Sequence, residues 1–138
     1  MYHKVFVDIG IQWDTYYKEG MFMIKLENHL GWIDISHEFL VNLIVNTATN
    51  CFGVAGMSNC NNRQGLKAKL LHKEPLDKGI LVRYKKEKLI VDLHILVIYG
   101  MNISAVVKSI INKVRYAVEE VTGITVSSVN VFIDGMKA

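Results

Sequence analysis

The chain has 138 residues, of which 51% are apolar and 21% are charged, and its formal net charge is +3 at pH 7. These values predict one folded domain with a sizeable core and exclude a disordered chain. No apolar run reaches the length of about 18 residues that a membrane-spanning helix needs. No secretory signal is visible, and Cys51 and Cys60 fit neither a disulfide framework nor a zinc site, so we expect a reduced, cytoplasmic protein.

Residues 1–20 have no clear amphipathic period. Lys18-Glu19-Gly20 can be encoded by AAA-GAA-GGA, which resembles a bacterial ribosome-binding site, and Met23 follows at a suitable spacing. We therefore predict that residues 1–22 are an N-terminal extension, either an ordered one or one that results from a mis-assigned start, and that residues 23–138 form a single α+β domain. The DNA sequence tests the mis-assigned start, because codons without a purine-rich run would contradict it.

The next residues predict a strand, a helix and a second strand. The first strand is GWIDIS, and Ser36 at its end is a favourable N-cap for a helix from about His37 to Cys51. The segment FGVAGM leads out of this helix. It is followed by a loop, SNCNNRQG, and by LKAKLLHKE, in which the leucine spacing favours a short helix.

The C-terminal half gives the clearest patterns. A strand at about Ile80 to Tyr84 turns back through Lys85 to Lys88 into a strand with one wholly apolar face. The segment that begins at Ile103 has apolar residues at helical spacing, with Asn102 or Ser104 as the N-cap and Gly123 as the terminating residue. The last strand is ITVSSVNVFID, and its alternation slips at the two serines, which predicts a bulge or an edge there.

The resulting order, β-α-β-β-β-α-β, predicts an α+β fold in which two main helices pack on one face of a mixed sheet. The other face would then carry apolar side chains, and an uncovered apolar face is typical of an interface. We predict self-association through this face, unless LKAKLL or the N-terminal strand covers it. The predicted interface residues are Leu81, Leu96, Ile98 and Phe132.

Basic residues are concentrated between Arg63 and Lys88, where nine of them stand against three acidic residues. Such a strip suits an anionic partner such as nucleic acid or a lipid surface. It is also typical of a solvated sheet edge that lysines protect from pairing. The predicted contacts to an anionic partner are Arg63, Lys67, Lys69, Arg83, Lys85, Lys86 and Lys88.

Two features could carry chemistry. Asp92 and His94 lie two residues apart on one strand face, where they could bind a metal or exchange protons, or form a partly exposed polar pair. Cys60 lies near Arg63 and could be an activated nucleophile or an ordinary exposed thiol. Because no third metal ligand and no partner base is placed by the sequence, we predict no catalytic, cofactor-binding or metal-binding residues.

Four blocks, LGWIDIS, CFGVAGMS, DLHILVIYGMNI and VTGITVSSVNVFIDGM, occur in this order. In this the chain resembles a short member of the alkaline shock protein family, also called the envelope stress response family of Gram-positive bacteria, from about Glu27 to Met136. The resemblance implies a non-enzymatic, self-associating cytoplasmic protein that serves cell-envelope homeostasis and lies beneath the membrane through a small membrane-anchored partner. It implies no cofactor and no small-molecule substrate. The chain departs from the family at His94 and Ile98, where aromatic and polar residues are common.

We therefore expect a non-enzymatic cell-envelope scaffold that forms homo-oligomers at the inner face of the cytoplasmic membrane. The alternative is a protein that binds nucleic acid or another anionic surface through residues 63–88. Since Tyr84 is the only aromatic residue of that strip, it lacks the interleaved aromatic side chains of single-strand binding platforms.

Overall fold

The structure is a computed structural model. It describes the strands within residues 3–7, 11–18 and 21–28, the chain from residue 31 to 58, and the chain from residue 78 to 138; side chains are described from Asp34 onward within these ranges. The chain divides into two compact units, Met1–Leu40 and Val41–Ala138.

The first unit contains an antiparallel sheet of four strands in chain order. They are β1 (His3–Val7), β2 (Ile11–Lys18), β3 (Met21–Asn28) and β4 (Gly31–Ser36). The sequence predicted β4 but none of the other three. The boundary between residues 22 and 23, which falls inside β3, stays a prediction.

Helix α1 (His37–Thr49) follows β4 directly. The Phe39 N–H donates to Oγ of Ser36 at 3.1 Å, which confirms the predicted N-cap. The helix ends at Thr49, two residues before the predicted end at Cys51. The Cys51 N–H donates to the Ala48 carbonyl, three residues back, as in a tighter final turn. The fully buried residues of the helix recur at helical spacing and are Leu40, Val41, Ile44 and Ala48.

The second unit is built on a mixed sheet of four strands, β5 (Val54–Met57), β6 (Ile80–Lys85), β7 (Lys88–Ile98) and β8 (Val126–Lys137). β7 is central. β8 pairs with one edge of it in parallel, while β6 and then β5 pair antiparallel with the other edge. This mixed sheet confirms the predicted α+β class.

A two-residue turn joins β6 to β7. Lys86 and Glu87 both have positive φ, 48° and 67°, which is the backbone geometry of the tight turns that suit β-hairpins. The predicted hairpin through Lys85 to Lys88 is confirmed.

Helix α2 (Ile103–Thr122) connects the parallel strands β7 and β8. Oδ1 of Asn102 accepts from the Ala105 N–H at 3.1 Å, so of the two predicted caps it is Asn102 that the structure uses. Gly123 ends the helix in the left-handed conformation, as predicted, and its N–H donates to the Glu119 carbonyl at 2.8 Å. The buried stripe of the helix is Val106, Ile110, Val114, Val118 and Thr122.

The core lies between the helices and one face of the sheet. On β7 every second residue is buried, and these are Leu89, Val91, Leu93, Ile95 and Val97. Tyr99 was predicted to continue this face, but β7 ends at Ile98 and Tyr99 is exposed in the following turn.

Strand β8 keeps in step with β7 through two irregularities. Leu89 pairs with Val126, but the next residue, Ile90, pairs with Ser128, so Ser127 is an extra residue in β8. The predicted bulge at the serines is confirmed. At a second irregularity, Ile95 pairs with Ile133 and Leu96 pairs with Gly135, so Asp134 is an extra residue in β8.

Candidate functional site: the far face of the sheet

The far face is the side of the second unit's sheet that carries the β7 residues alternating with the buried ones. Strand pairing places neighbours from β6 and β8 beside them. In order along β7 the far-face residues are Lys88, Ile90, Asp92, His94, Leu96 and Ile98, with Leu81, Arg83 and Lys85 from β6 and Ser128, Asn130, Phe132, Gly135 and Lys137 from β8.

Asp92 connects three strands across this face. Nη2 of Arg83 on β6 donates to one carboxylate oxygen at 2.8 Å, and Nδ2 of Asn130 on β8 donates to the other at 2.7 Å. Only 13% of the Asp92 side chain is exposed. Because each oxygen already has a donor, the Asp92 carboxylate is satisfied and links the three strands.

His94 lies two residues further along β7. Its ring stacks on Phe132 with centroids 4.7 Å apart and planes inclined by 14°. Nδ1 lies 3.2 Å from each carboxylate oxygen of Asp134, the extra residue of β8. Asp92 and His94 therefore share a face, as the sequence predicted, but contact different partners.

Asp134 was missed by the sequence analysis. The only signal was an Asp-Gly pair at the end of a strand, which is more typical of a turn. In the structure β8 continues past this pair, and the bulge re-aims the carboxylate at a neighbouring strand.

The structure places all four predicted interface residues on the far face. Phe132 and Ile98 are 47% and 42% exposed, and Leu96 lies half-buried between them along the sheet. Leu81 is half-buried and pairs with Asp92, so it stands further toward the polar network. The far face thus runs from the Arg83–Asp92–Asn130 network to exposed apolar side chains, and its role as an interface stays a prediction.

The predicted anionic-partner contacts are only partly described. Lys85, Lys86 and Lys88 are exposed at the β6–β7 hairpin, whereas Arg83 forms a salt bridge with Asp92. Arg63, Lys67 and Lys69 lie outside the described residues, as do Cys60 and the predicted helix LKAKLLHKE. A role of the strip in binding stays a prediction.

Cys51 is buried, and Sγ donates to the Thr47 carbonyl at 3.2 Å. Burial raises the pKa of the Cys51 thiol, and the nearby Lys113 ammonium lowers it by a smaller amount. The thiol is therefore a small core side chain and not an activated nucleophile.

The described residues contain no group of three or more His, Cys, Asp or Glu side chains placed to hold a metal ion. Neither α1 nor α2 is long and apolar enough to cross a membrane.

These features define an α+β protein whose sheet carries helices on one face and, on the other, satisfied charges beside exposed apolar side chains. The chain belongs to the alkaline shock protein family, which has a cell envelope-related function; the family model matches residues 25–138.

Two relatives align with this chain over most of their length. The uncharacterized protein YloU of Bacillus subtilis (strain 168) is 34% identical over 114 residues, which cover 83% of this chain and 95% of YloU. The uncharacterized protein Spy1614 of Streptococcus pyogenes serotype M6 is 31% identical over 114 residues, or 83% of this chain and 94% of Spy1614. Among solved structures, the copper form of the MamM CTD aligns with a TM-score of 0.45 at 19% identity, covering 73% of this chain and 87% of that one.

Proposed function

We propose that this protein is a non-enzymatic scaffold of the cell envelope, which self-associates through the far face and works at the inner face of the cytoplasmic membrane. The observation that carries the proposal is the exposure of Phe132 and Ile98 beside Leu96 on the sheet surface. Aromatic and aliphatic side chains displayed in this way are typical of the buried centre of an interface.

The ion pair at the centre of the far face favours a second copy of the chain as the occupant. Asp92 is paired there with Arg83, so neither of these two charges is presented unopposed. A two-fold interface brings the same patch together from both subunits. Because the charges of Asp92 and Arg83 compensate each other, this pair does not repel its own copy, whereas an unpaired charge at the same place would.

The non-enzymatic part of the proposal is supported by the same contacts. The Asp92 oxygens accept from Arg83 and Asn130, and the His94 ring is held between Phe132 and Asp134. Asp92 and His94 are the side chains of the far face best suited to acid–base or metal chemistry. Each of them instead contacts partners on neighbouring strands. A base, a nucleophile and a group that orients them are not brought together among these residues.

The test is the oligomeric state of the double variant Leu96→Lys with Phe132→Lys. Two ammonium groups in the centre of a two-fold interface become four like charges, so we expect the variant to be monomeric. Light scattering after size-exclusion chromatography measures the mass, and circular dichroism checks that the fold persists. The matched control, Phe39→Lys with Val121→Lys, adds the same charge at two exposed apolar positions outside the far face and should keep the wild-type mass.

A folded Leu96→Lys, Phe132→Lys protein with the wild-type mass would refute self-association through this face. A monomeric wild-type protein would do the same.

A further inference from the structure

We propose that the end of the second unit's sheet where β7 and β8 finish contacts a lipid bilayer directly. We name this end the apolar tip and define it by Phe52, Ile98, Tyr99 and Met136. This inference rests on the envelope role proposed above and goes beyond it, because it assigns a lipid-contacting surface to the chain itself.

The tip is formed by three separate segments that hydrogen bonds hold together. The Ile98 N–H donates to the Gly53 carbonyl at 2.9 Å, which fixes the turn after α1 beside the end of β7. The Tyr99 N–H donates to the Lys137 carbonyl at 2.7 Å, which fixes the end of β8 on the other side. The side chains that flank these bonds are therefore displayed at one end of the sheet.

These side chains are strongly exposed. Phe52 is 77% exposed, Tyr99 73%, Met136 54% and Ile98 42%. Among the described residues eight large apolar side chains are exposed, and half of them belong to the tip. Single exposed apolar residues are ordinary, but a cluster of this kind marks a surface that meets an apolar or amphipathic partner.

The charge pattern points to a lipid surface. Residues 50–58, 96–107 and 135–138 contain no acidic residue, and their only charged side chain is that of Lys137. Aromatic side chains such as those of Phe52 and Tyr99 are favoured at the boundary between headgroups and acyl chains. A lysine beside them can lay its methylene chain along the apolar region and place its ammonium among anionic headgroups.

The tip is a poorer fit for a second copy of the chain. A stable protein–protein interface buries roughly 800 Å² on each partner. Four partly exposed side chains on turns and strand ends offer less than this area. Insertion into a headgroup layer needs only a few protruding apolar residues with a cation nearby.

Vesicle flotation tests the proposal with the full chain. The probes are vesicles of phosphatidylglycerol with phosphatidylcholine, and vesicles of phosphatidylcholine only. We expect the wild-type protein to float with the anionic vesicles, and the variant Phe52→Gln with Tyr99→Gln to lose binding by at least about tenfold. We expect Lys137→Gln to weaken binding to the anionic vesicles only.

The chain offers a matched control. Phe39→Gln with Tyr116→Gln removes one exposed phenylalanine and one exposed tyrosine from the helices, where the side chains are 46% and 69% exposed. This control should float as the wild type does. Ile98 lies both on the far face and in the tip, so it is left unchanged in every variant.

Several outcomes would overturn the inference. They are a wild-type protein that floats with neither kind of vesicle, tip variants that float as well as the wild type, and a control that loses binding equally. If the tip variant is monomeric without lipid while the wild type is not, the tip is instead an interface between copies.

Failure of the inference and failure of the proposed function are distinguishable on the same samples. If Leu96→Lys with Phe132→Lys is monomeric but the wild type does not float, the scaffold proposal stands and lipid contact is rejected. If that variant keeps the wild-type mass while flotation depends on the tip, lipid contact stands without self-association through the far face.

Discussion

His94 marks the point where two strands succeed each other along one edge of β7. Its N–H donates to the Gly79 carbonyl just before β6, at 2.8 Å, and its carbonyl accepts from the Ser58 N–H just after β5, at 2.9 Å. Gly79 has a φ of +81°, and a Cβ there would lie 2.8 Å from the Ser58 carbonyl oxygen and 3.0 Å from that of His94. The junction therefore requires glycine for its conformation and for its space.

We predict that Gly79→Ala lowers the free energy of unfolding by about 2–4 kcal/mol, because left-handed strain and a backbone clash add together. Gly100→Ala is the control. Gly100 has a similar φ of +85° but nothing within 4 Å of the added Cβ, so only the strain remains and the loss should be about 1 kcal/mol. Urea unfolding measures both. Equal losses would show that the close approach at Gly79 has no energetic weight.

At the scale of elements, both helices have a side-chain cap at the start, and α2 also has a left-handed glycine at its end. The buried stripe of α2 carries the β-branched residues Val106, Ile110, Val114 and Val118, which have low intrinsic helix propensity. Packing and capping together must therefore stabilise this helix.

We predict that Asn102→Ala lowers the free energy of unfolding by about 1 kcal/mol, since the Ala105 N–H loses its acceptor. Ser104→Ala provides the comparison, because Ser104 is exposed inside the first turn and should change stability by less than about 0.5 kcal/mol. Thermal or denaturant unfolding of the two single variants checks this. A larger loss for Ser104→Ala would contradict the assignment of the cap.

The elements that could be predicted from the sequence are those with local signals. The β6–β7 hairpin, both main helices and the bulge at Ser127 and Ser128 each follow from residues close together in the chain. β1, β2 and β3 could not be predicted in this way. The run IQWDTYYK of β2 has little alternation of apolar and polar residues, and its strand state depends on partners β1 and β3.

The same limit applies to the far face. The hairpin register is local, so the Arg83–Asp92 pair lay within reach of sequence reasoning once Lys85 was set opposite Lys88. The neighbours from β8 could not be placed, because β8 lies beyond a 20-residue helix and slips register twice. Asp134 reaches His94 only through the second slip.

At the scale of the whole second unit, β7 separates two surfaces of opposite character. Its first residue stands at the hairpin with Lys85, Lys86 and Lys88, and its last stands at the apolar tip. The ten steps between the eleven residues of β7, at about 3.3 Å each, put these ends roughly 33 Å apart. One molecule can therefore present charged residues at one end and apolar residues at the other.

We predict that a crosslinked pull-down of the tagged protein from its native membrane fraction recovers a small membrane protein in stoichiometric amount, as a membrane-docked scaffold requires. Mass spectrometry identifies the partner, and nucleic-acid content is measured with and without nuclease. Recovery of RNA without a membrane protein would contradict the scaffold proposal. It would favour binding of an anionic partner through residues 63–88, which steep weakening by salt would support.

The parallel pairing of β7 with β8 also has a consequence during synthesis. Once β7 has left the ribosome and until residues 126–137 follow, β7 can pair along one edge only, and its other edge offers unsatisfied N–H and C=O groups. Translation at about 5–20 residues per second keeps that edge available for seconds before residues 126–137 emerge. Nascent chains on one messenger are therefore most exposed to strand exchange with each other at this stage, and the arrival of β8 ends it.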